Sequence, residues 1–188
     1  VNALRHAGLE PDPERDEPAV IGGGATAISA LTALHALGYR RVSVYARSLY
    51  KLGDLQAVAE RLGVQLSTVA LAEFPAEQKA RRHNPVISTL PARAADDWAP
   101  QLADPAGASE TAARPVLLDV AYNPWPSALA SAWEANGGTV VSGLEMLLYQ
   151  AVEQVLLFTD RTLSEGELLG LVNAMCAAVD LPPRASVS

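Results

Sequence analysis

The sequence contains few of the residues that mark metal-binding, disulfide-bonded or membrane proteins. Cys176 is the one cysteine among 188 residues, so an intrachain disulfide is excluded. The three histidines are scattered and match no metal-ligand spacing. No apolar run reaches the roughly 18 residues that a membrane span requires, and no signal peptide is recognisable. We therefore expect no metal, no membrane association and a cytoplasmic location.

Positive charge is also scarce. The 14 Lys and Arg residues are outnumbered by 21 Asp and Glu, which gives a formal net charge of −7. An acidic protein of this kind is not expected to bind nucleic acid, which requires clustered Lys and Arg. A local basic pocket for a small anionic ligand remains compatible with this composition. The hydrophobic fraction of 49% and the charged fraction of 19% are typical of a globular domain.

Short apolar segments alternate with helical patterns along most of the chain. Buried strands are predicted at residues 19–21, 41–45, 64–71, 84–90, 115–120 and 139–141. Helical periodicity is present at residues 26–37, 52–62, 127–135 and 143–158. The alternation predicts an α/β fold with a doubly wound parallel sheet of the Rossmann type, about six strands in the order 3-2-1-4-5-6, followed by C-terminal helices.

The pattern suggests three parts of unequal size. Residues 1–10 have the pattern of the last turns of a helix, with Gly8 just past its end. We assign residues 18–160 to a dinucleotide-binding domain and residues 161–188 to a C-terminal helix and tail. Ser164 and Glu167 form a capping box that starts this last helix, and Cys176 lies on its apolar stripe as a core residue. The abrupt helical start leads us to expect a fragment of a longer protein.

A glycine-rich turn joins the first predicted strand to the helix that follows it. In the pattern Gly22-x-Gly24-x-x-Ala27, Gly22 permits the tight turn and Gly24 lets a pyrophosphate approach the backbone. Ala27 is small enough for the helix to pack against the strand. The free N–H groups and positive dipole end of the helix then face the anion. The cofactor-binding loop is predicted to comprise Gly22, Gly23, Gly24, Ala25 and Thr26.

The end of the second predicted strand indicates which dinucleotide is bound. NAD enzymes keep an acidic residue there for the ribose 2′-hydroxyl, but this sequence reads Ala46-Arg47-Ser48, with Lys51 shortly after. Two cations and a hydroxyl suit a 2′-phosphate, and guanidinium geometry favours it. We therefore predict NADP as the cofactor, with Ala46, Arg47, Ser48 and Lys51 around the phosphate. A solvated surface arginine is the alternative interpretation of Arg47.

Other polar residues follow the later strands, where ligands bind on open α/β sheets. Ser88 and Thr89 end the fourth strand, where such residues commonly serve as turn or capping groups. Asp119 ends the fifth, where it could face a ligand or equally serve as a structural carboxylate bonded to nearby backbone N–H groups, and the structural interpretation is favoured. Gly143, Met146 and Gln150 share one helix face, although that pattern alone is equally typical of core packing for Met146.

Four segments together resemble shikimate dehydrogenase, specifically its C-terminal cofactor domain. Residues 20–27 resemble the glycine loop of that family, and residues 46–51 resemble its Asn-Arg-Thr-x-x-Arg/Lys motif. Residues 118–127 resemble its Asp-x-x-Tyr-x-Pro segment, and residues 143–151 resemble its Gly-x-x-Met-Leu-x-x-Gln-Ala motif. The last two segments together are specific, and the resemblance covers nearly the whole chain.

The resemblance implies roles for the matching residues and a reaction. Arg47, Ser48 and Lys51 would hold the 2′-phosphate of NADP. Further cofactor contacts would come from Ser88, Thr89, Val120, Gly143 and Met146, and substrate contacts from Tyr122 and Gln150. The implied reaction is reversible reduction of 3-dehydroshikimate to shikimate by NADPH, a step toward aromatic amino acids. The implied partner is thus a small molecule, and a homodimer is the assembly to test.

The sequence also departs from the family pattern. Ala46 replaces the usual Asn, Ser88-Thr89-Leu90 replaces a more usual Asn-Ala-Thr, and Glu145 replaces a common Gly and adds negative charge. The catalytic Lys and its Asp partner belong to an N-terminal domain in this family, and nothing here matches them. We therefore expect no catalytic residue in this chain and no turnover by it alone. The alternatives are an NAD-using quinate/shikimate dehydrogenase paralogue and a non-catalytic dinucleotide-binding module.

Overall fold

A computed structural model describes residues 1–102 and 114–186. Its centre is a six-stranded, all-parallel sheet in the order β3-β2-β1-β4-β5-β6. The strands are β1 (Ala19–Ile21), β2 (Arg41–Ala46), β3 (Gln65–Ala70), β4 (Val86–Ser88), β5 (Val116–Asp119) and β6 (Thr139–Ser142). The predicted doubly wound α/β fold and its strand order are confirmed.

Seven α-helices flank or follow the strands in the described part of the chain. They are α1 (Asn2–His6), α2 (Ala25–Ala36), α3 (Gly53–Leu62), α4 (Phe74–Arg81), α5 (Ala128–Ala135), α6 (Gly143–Thr159) and α7 (Glu165–Ala178). Ser127 caps α5 by accepting a hydrogen bond from the Ala130 N–H. The predicted capping box of Ser164 and Glu167 is present at the start of α7.

Two apolar layers cover the two faces of the sheet, as a parallel sheet with alternating side chains requires. Val20, Ile87 and Leu118 point into the layer that α1, α2 and α3 complete. Ile21, Val86 and Leu117 point into the opposite layer, which Phe74 of α4 and Trp133 of α5 complete. The central strands β1, β4 and β5 are buried on both faces, which explains why they appear as largely apolar runs. The edge strand β3 has no fully buried residue.

The helix α7 packs on α6 outside the main core. Their contact is a smaller cluster built on Leu148 and Val152 of α6 and on Val172 and Cys176 of α7. Cys176 is 1% exposed, which confirms its interpretation as a core residue. The long helix α6 therefore has one side on the sheet layer, through Met146 and Tyr149, and another side on α7.

Sequence reasoning missed α4. This helix carries mainly polar and small residues after Phe74 and Pro75, so it has no apolar stripe that could have indicated it. Phe74 and Pro75 anchor it, since both are buried, and the ring of Phe74 packs edge-on against Tyr45 and Trp98. No element is predicted from the sequence for residues 94–114. The structure has a 3₁₀ turn there at Ala99–Leu102, and residues 103–113 lie outside the described part of the chain.

Two kinds of feature are absent from the described ranges 1–102 and 114–186. No helix there has both the length and the apolar character needed to cross a membrane. No group of three or more His, Cys, Asp or Glu side chains there is arranged to hold a metal ion.

A fully buried histidine joins the end of α4 to the sheet. His83 Nε2 lies 2.7 Å from the Tyr45 hydroxyl, and His83 Nδ1 lies 3.0 Å from the carbonyl oxygen of Glu17. Burial disfavours the imidazolium and lowers the pKa of His83, although the hydrogen bond to Glu17 opposes this shift. The neutral ring is therefore the form that the folded protein holds.

This buried histidine predicts a pH-dependent loss of stability. Because the pKa of His83 is lower in the folded state, protonation favours the unfolded chain. Stability is retained above the ordinary histidine pKa of about 6.5 and falls below it, by at most about 1.4 kcal/mol per pH unit. His83→Gln keeps polar atoms for Tyr45 and Glu17 but cannot titrate.

The measurement is urea unfolding between pH 5 and pH 8 of the protein and of His83→Gln. We expect the difference in unfolding free energy between the two proteins to shrink as the pH falls. The matched control is His6→Gln, since His6 is exposed. A difference that stays constant over this pH range would show that His83 does not carry the effect.

Candidate functional site

The residues predicted to bind a cofactor cluster along the carboxyl edge of the sheet. In the parallel sheet, Ile21 of β1 lies beside Tyr45 of β2 on one side and beside Ser88 of β4 on the other. Ser88 in turn lies beside Asp119, and Asp119 beside Ser142. The strands therefore end level with one another. The next residues after them, Gly22, Ala46, Thr89, Val120 and Gly143, form a second row at the same edge.

A cleft of about 360 Å³ opens beside β1 and β2 at this edge. Eight of the residues predicted to contact the cofactor line it: Gly22, Gly23, Gly24, Ala46, Arg47, Ser48, Lys51 and Thr89. The other lining residues are Tyr45, Leu52, Leu71, Leu90 and Pro91. The cleft thus unites the glycine loop and the basic turn, which are separated in sequence by the whole of α2.

The glycine loop is held in shape by its neighbours. Gly22 has a φ of +117°, and a Cβ there would lie 2.2 Å from Oγ1 of Thr89. The Thr89 hydroxyl in turn donates to the carbonyl oxygen of Ile21 at 2.9 Å, so it is not free to give way. Gly22 is therefore required for the turn itself.

Gly24 is a different case. It has an ordinary φ of −90° at the N-cap of α2, and a Cβ there would meet no protein atom within 4 Å. No side chain caps this helix, so the N–H groups of its first turn face the open cleft. Ala25 and Thr26 are exposed at this point. The fold does not need a glycine at position 24, whereas an anion approaching the helix terminus does.

The basic turn forms the far wall of the cleft. Arg47 is exposed, and within the described part of the chain it makes no hydrogen bond or ion pair. Lys51 lies 5.8 Å from the ring centroid of Tyr50, which is 84% exposed. No acidic side chain is among the residues that line the cleft. Two cations that pair with no carboxylate of the described residues give this wall of the cleft a positive charge.

Apolar walls complete the cleft, and sequence reasoning did not single them out. Leu71 follows β3 and Leu90 follows β4, so the sheet order places them on either side of the glycine loop. Leu52 reaches over the loop, because a Cβ on Gly23 would lie 2.3 Å from its Cδ2. Each of these leucines resembles an ordinary core residue in the sequence, and only the topology brings them to one surface.

Ala46, the residue that departs from the family pattern, belongs to the core. It is 5% exposed and packs in the layer with α2 and α3. It lines the cleft through its methyl group and offers no side-chain hydrogen bond. The polar side chains of this turn come instead from the neighbouring Arg47 and Ser48.

The other half of the edge is built by backbone contacts. The Val120 N–H donates to the Ser88 carbonyl oxygen at 3.0 Å, and the Gly143 N–H donates to the Ala121 carbonyl oxygen at 3.3 Å. A Cβ on Gly143 would lie 2.0 Å from the Val120 carbonyl oxygen. Only glycine lets the start of α6 approach β5 this closely, and this approach places the first turn of α6 at the sheet edge.

Asp119 fixes the loop that follows β5. Its carboxylate accepts a hydrogen bond from the Ser127 hydroxyl at 2.6 Å and from the Ala121 N–H at 3.2 Å. Asp119 as a whole residue is 3% exposed, and burial raises the pKa of its carboxyl group while its hydrogen bonds, including one from the Ser88 side chain, oppose the shift. The interpretation of Asp119 as a structural carboxylate is confirmed. The side chain of Ser88 is likewise engaged beneath the edge, at 1% exposure, so any cofactor contact from Ser88 would be indirect.

The residues predicted to reach the substrate lie on the open side. Tyr122 is 53% exposed in the loop that Asp119 and Ser127 close. Gln150 is exposed on the second turn of α6, while Met146 packs against the sheet layer. Tyr122 and Gln150 therefore remain available to a ligand, but the cleft beside the glycine loop does not include either of them.

Comparison with known proteins shows similarity to shikimate dehydrogenases. The chain is 30% identical over 164 residues to the pentafunctional AROM polypeptide of Schizosaccharomyces japonicus, covering 84% of this chain and 10% of that protein. It is 34% identical to the crystal structure of Mycobacterium tuberculosis shikimate dehydrogenase, with a TM-score of 0.71, covering 95% of this chain and 61% of the other. No protein-family profile matches the chain. The predicted resemblance is confirmed over the domain that this chain spans.

Two more distant neighbours are known as ligand complexes. Shikimate 5-dehydrogenase from Thermus thermophilus, in complex with NADP(H) and shikimate, is 24% identical with a TM-score of 0.60, covering 94% of this chain and 59% of that one. The enzyme from Listeria monocytogenes, in complex with shikimate and NAD, is 17% identical with a TM-score of 0.66, covering 94% of this chain and 59% of that one. These two share the fold. The chain thus spans about three fifths of the length of its solved neighbours.

The same substitution is predicted to affect different properties at two glycines of the loop, ligand binding at Gly24 and folding stability at Gly22. Gly24→Ala should weaken dinucleotide binding at least tenfold by occupying space needed by the phosphates, at a folding cost of about 1 kcal/mol or less. Gly22→Ala should destabilise the fold itself, by about 1–3 kcal/mol, because of its positive φ and the clash with Thr89. Calorimetric titration and thermal unfolding separate the two effects. If Gly24→Ala bound the dinucleotide as tightly as the parent chain, we would conclude that the phosphates do not lie against this loop.

Proposed function

We propose that this chain, which matches shikimate dehydrogenases over the length of one domain, is the NADP-binding domain of such an enzyme. The observation that carries the proposal is the cleft that unites an open glycine loop with two unneutralised cations, Arg47 and Lys51. In the full protein the activity would be the reversible reduction of 3-dehydroshikimate to shikimate. The protein would then act in aromatic amino-acid biosynthesis.

The adenosine end of the cofactor would occupy the cleft. Its pyrophosphate would lie on the first turn of α2, where Gly24, Ala25 and Thr26 leave the backbone N–H groups accessible. Arg47 and Lys51 supply the charge for the 2′-phosphate, and Ser48, half-buried beside them, supplies a hydroxyl. Leu71 and Leu90 offer apolar surface to the adenine base.

The nicotinamide end would extend across the edge toward β5. Thr89 and Val120 follow their strands there, and Gly143 begins α6 at the same row. Because Gly143 packs closely against the Val120 carbonyl oxygen, these two residues would form a rigid surface under the nicotinamide ring. Met146, one turn further along α6, packs below them. Tyr122 and Gln150 are exposed where a small polar substrate could be hydrogen-bonded.

When bound, NADPH supplies the hydride that a ketone substrate accepts at carbon. The ketone oxygen must then receive a proton, which requires a general acid within hydrogen-bond reach. Of the carboxyl groups at this end of the edge, Asp119 is engaged in accepting hydrogen bonds from Ser127 and Ala121. Glu145 is paired with Arg184. We infer that the proton-transfer groups lie in another domain and that this chain alone binds cofactor without turnover.

Two other functions stay open to test. One is a dehydrogenase that uses NAD, as in the complex of the Listeria monocytogenes neighbour. The free guanidinium of Arg47 at the position where NAD enzymes place an acid favours NADP. The other is a dinucleotide-binding module without catalysis, which would share the cleft but lack any dependence on shikimate.

Arg47 provides the sharpest test of cofactor choice. Arg47→Ala should weaken NADP⁺ binding by about 1.5–3 kcal/mol, the value of a hydrogen bond to a charged group, and should leave NAD⁺ binding nearly unchanged. The affinities of both dinucleotides can be measured by calorimetric titration. Arg61→Ala is the matched control, because Arg61 is an exposed arginine on α3 outside the cleft. Equal losses of affinity for NADP⁺ and NAD⁺ would show that Arg47 does not contact the 2′-phosphate.

Shikimate-dependent reduction of NADP⁺ tests the enzymatic part of the proposal. The 188-residue chain is expected to bind NADP⁺ and to show no turnover. A chimera should show turnover if it joins, ahead of Val1, the part of the Mycobacterium tuberculosis enzyme that precedes the domain matched by this chain. Turnover by the chain alone would contradict the assignment of proton transfer to another domain, and a well-folded chimera that binds NADP⁺ without turnover would favour the non-catalytic module.

A further inference from the structure

The turn that carries the basic side chains is anchored by one buried leucine. Arg47 and Lys51 are exposed, and Ser48 is half-buried. Leu52, at the end of this turn, is only 2% exposed, and it is the one buried residue in the range 47–54. The placement of the two cations relative to the rest of the domain therefore depends on where Leu52 packs.

Backbone hydrogen bonds join the turn and Leu52 into one unit. The Lys51 N–H donates to the Ser48 carbonyl oxygen at 3.0 Å, and the Leu52 N–H donates to the Leu49 carbonyl oxygen at 3.3 Å. The Leu52 carbonyl oxygen accepts a hydrogen bond from the Gln56 N–H of α3 at 2.9 Å. A displacement of Leu52 would therefore move the backbone of Ser48 and Lys51 with it.

The side chain of Leu52 packs against the glycine loop. A Cβ on Gly23 would lie 2.3 Å from Cδ2 of Leu52 and 3.8 Å from its Cγ, so the leucine fills the space that a side chain at position 23 would need. The Ala46 methyl group lies on the same side, 3.6 Å from this Cβ position. Gly23 does not have the left-handed φ of Gly22. The contact with Leu52, and not the backbone conformation, is thus what requires a glycine at position 23.

This contact joins the two halves of the cleft. Gly23 belongs to the loop that leads into α2, and Leu52 ends the turn that carries the cations, so their packing sets the separation between the two. NADP presents a pyrophosphate and a 2′-phosphate on the same ribose, and both can be bound at once only where the two halves of the site have the matching separation. NAD lacks the 2′-phosphate, and its binding does not depend on that match.

Ordinary core packing is the simpler interpretation of Leu52. It belongs to the same apolar cluster as Leu55 of α3, and truncation of either leucine is expected to lower the stability of the fold. Core packing does not account for the place of Leu52, however, because Leu52 also lines the cleft and contacts the glycine loop. Leu55 is equally buried, at 2% exposure, and does not line the cleft. A comparison of these two leucines therefore separates packing from positioning.

We propose that Leu52 is a positioning residue for cofactor choice. By packing on Gly23 it holds the basic turn at the distance from the glycine loop that suits a dinucleotide with a 2′-phosphate. The inference rests on the proposed function, because it assumes that the pyrophosphate lies on the loop and the 2′-phosphate beside Arg47 and Lys51. The side chain of Leu52 has no polar atom to offer a phosphate, so it acts through the two cations.

The test measures the dissociation constants for NAD⁺ and NADP⁺ by calorimetric titration, and their ratio gives the preference for NADP⁺. In Leu52→Ala this ratio should fall about fivefold, a part of the roughly tenfold or more that a hydrogen bond to a charged group contributes. Gly23→Ala should lower it too, because the added methyl group displaces Leu52. In the double variant Gly23→Ala, Leu52→Ala, that methyl group occupies space that the leucine vacates, and most of the preference should return.

The controls separate positioning from stability. Leu55→Ala removes an equally buried leucine from the same cluster and should leave the ratio unchanged while lowering the thermal unfolding temperature. Leu52→Met keeps the side-chain volume and should stay close to the parent ratio. Should Leu52→Ala fail to fold, Leu52→Val removes only one methylene group and should lower the ratio by a smaller factor.

Three results would overturn the proposal. One is an equal loss of affinity for both dinucleotides in Leu52→Ala, and another is a change of the ratio in Leu55→Ala as large as that in Leu52→Ala. The third is a double variant whose ratio stays as low as that of Gly23→Ala. The proposed function fails in a different way, namely if the parent chain binds neither dinucleotide or if Arg47→Ala leaves its preference for NADP⁺ unchanged.

Discussion

The close approach of α6 to the end of β5 is the contact on which the site depends. It exists because Gly143 has no Cβ, which would otherwise lie 2.0 Å from the Val120 carbonyl oxygen. The approach continues a row of strand ends that register holds level, from Tyr45 through Ile21 and Ser88 to Asp119. A parallel sheet brings every carboxyl end to one edge, so a single row of small residues can support an extended ligand.

The cations and the carboxylates around this edge differ in whether they have partners. The cations of the basic turn, Arg47 and Lys51, face the cleft and are not paired with any carboxylate of the described structure. The nearby carboxylates are each neutralised or fully hydrogen-bonded, Asp119 by Ser127 and Glu145 by Arg184. The result is a positively charged cleft wall on a protein whose net charge is −7. Local arrangement, not total charge, decides what this protein can attract.

Different kinds of signal account for what could and could not be predicted. The central strands were predictable because they are buried on both faces and therefore appear as largely apolar runs. The glycine loop and Arg47 were predictable because their chemistry is local and their spacing is set by one strand–helix–strand unit. Helix α4 was missed because only Phe74 and Pro75, in its first turn, are buried. Leu71 and Leu90 were missed because their role depends on the order of the strands.

The sequence by itself determined the sheet, the glycine loop, the basic turn and the resemblance to one enzyme family, since these depend on short-range patterns. Only the tertiary structure decided which of those residues are available to a ligand. It buried Ser88 beneath the edge, although the sequence placed it among the cofactor contacts. It also brought Arg184 to Glu145, 39 residues earlier in the chain. Burial and pairing depend on contacts between distant segments, and no local pattern encodes which distant charge will meet which.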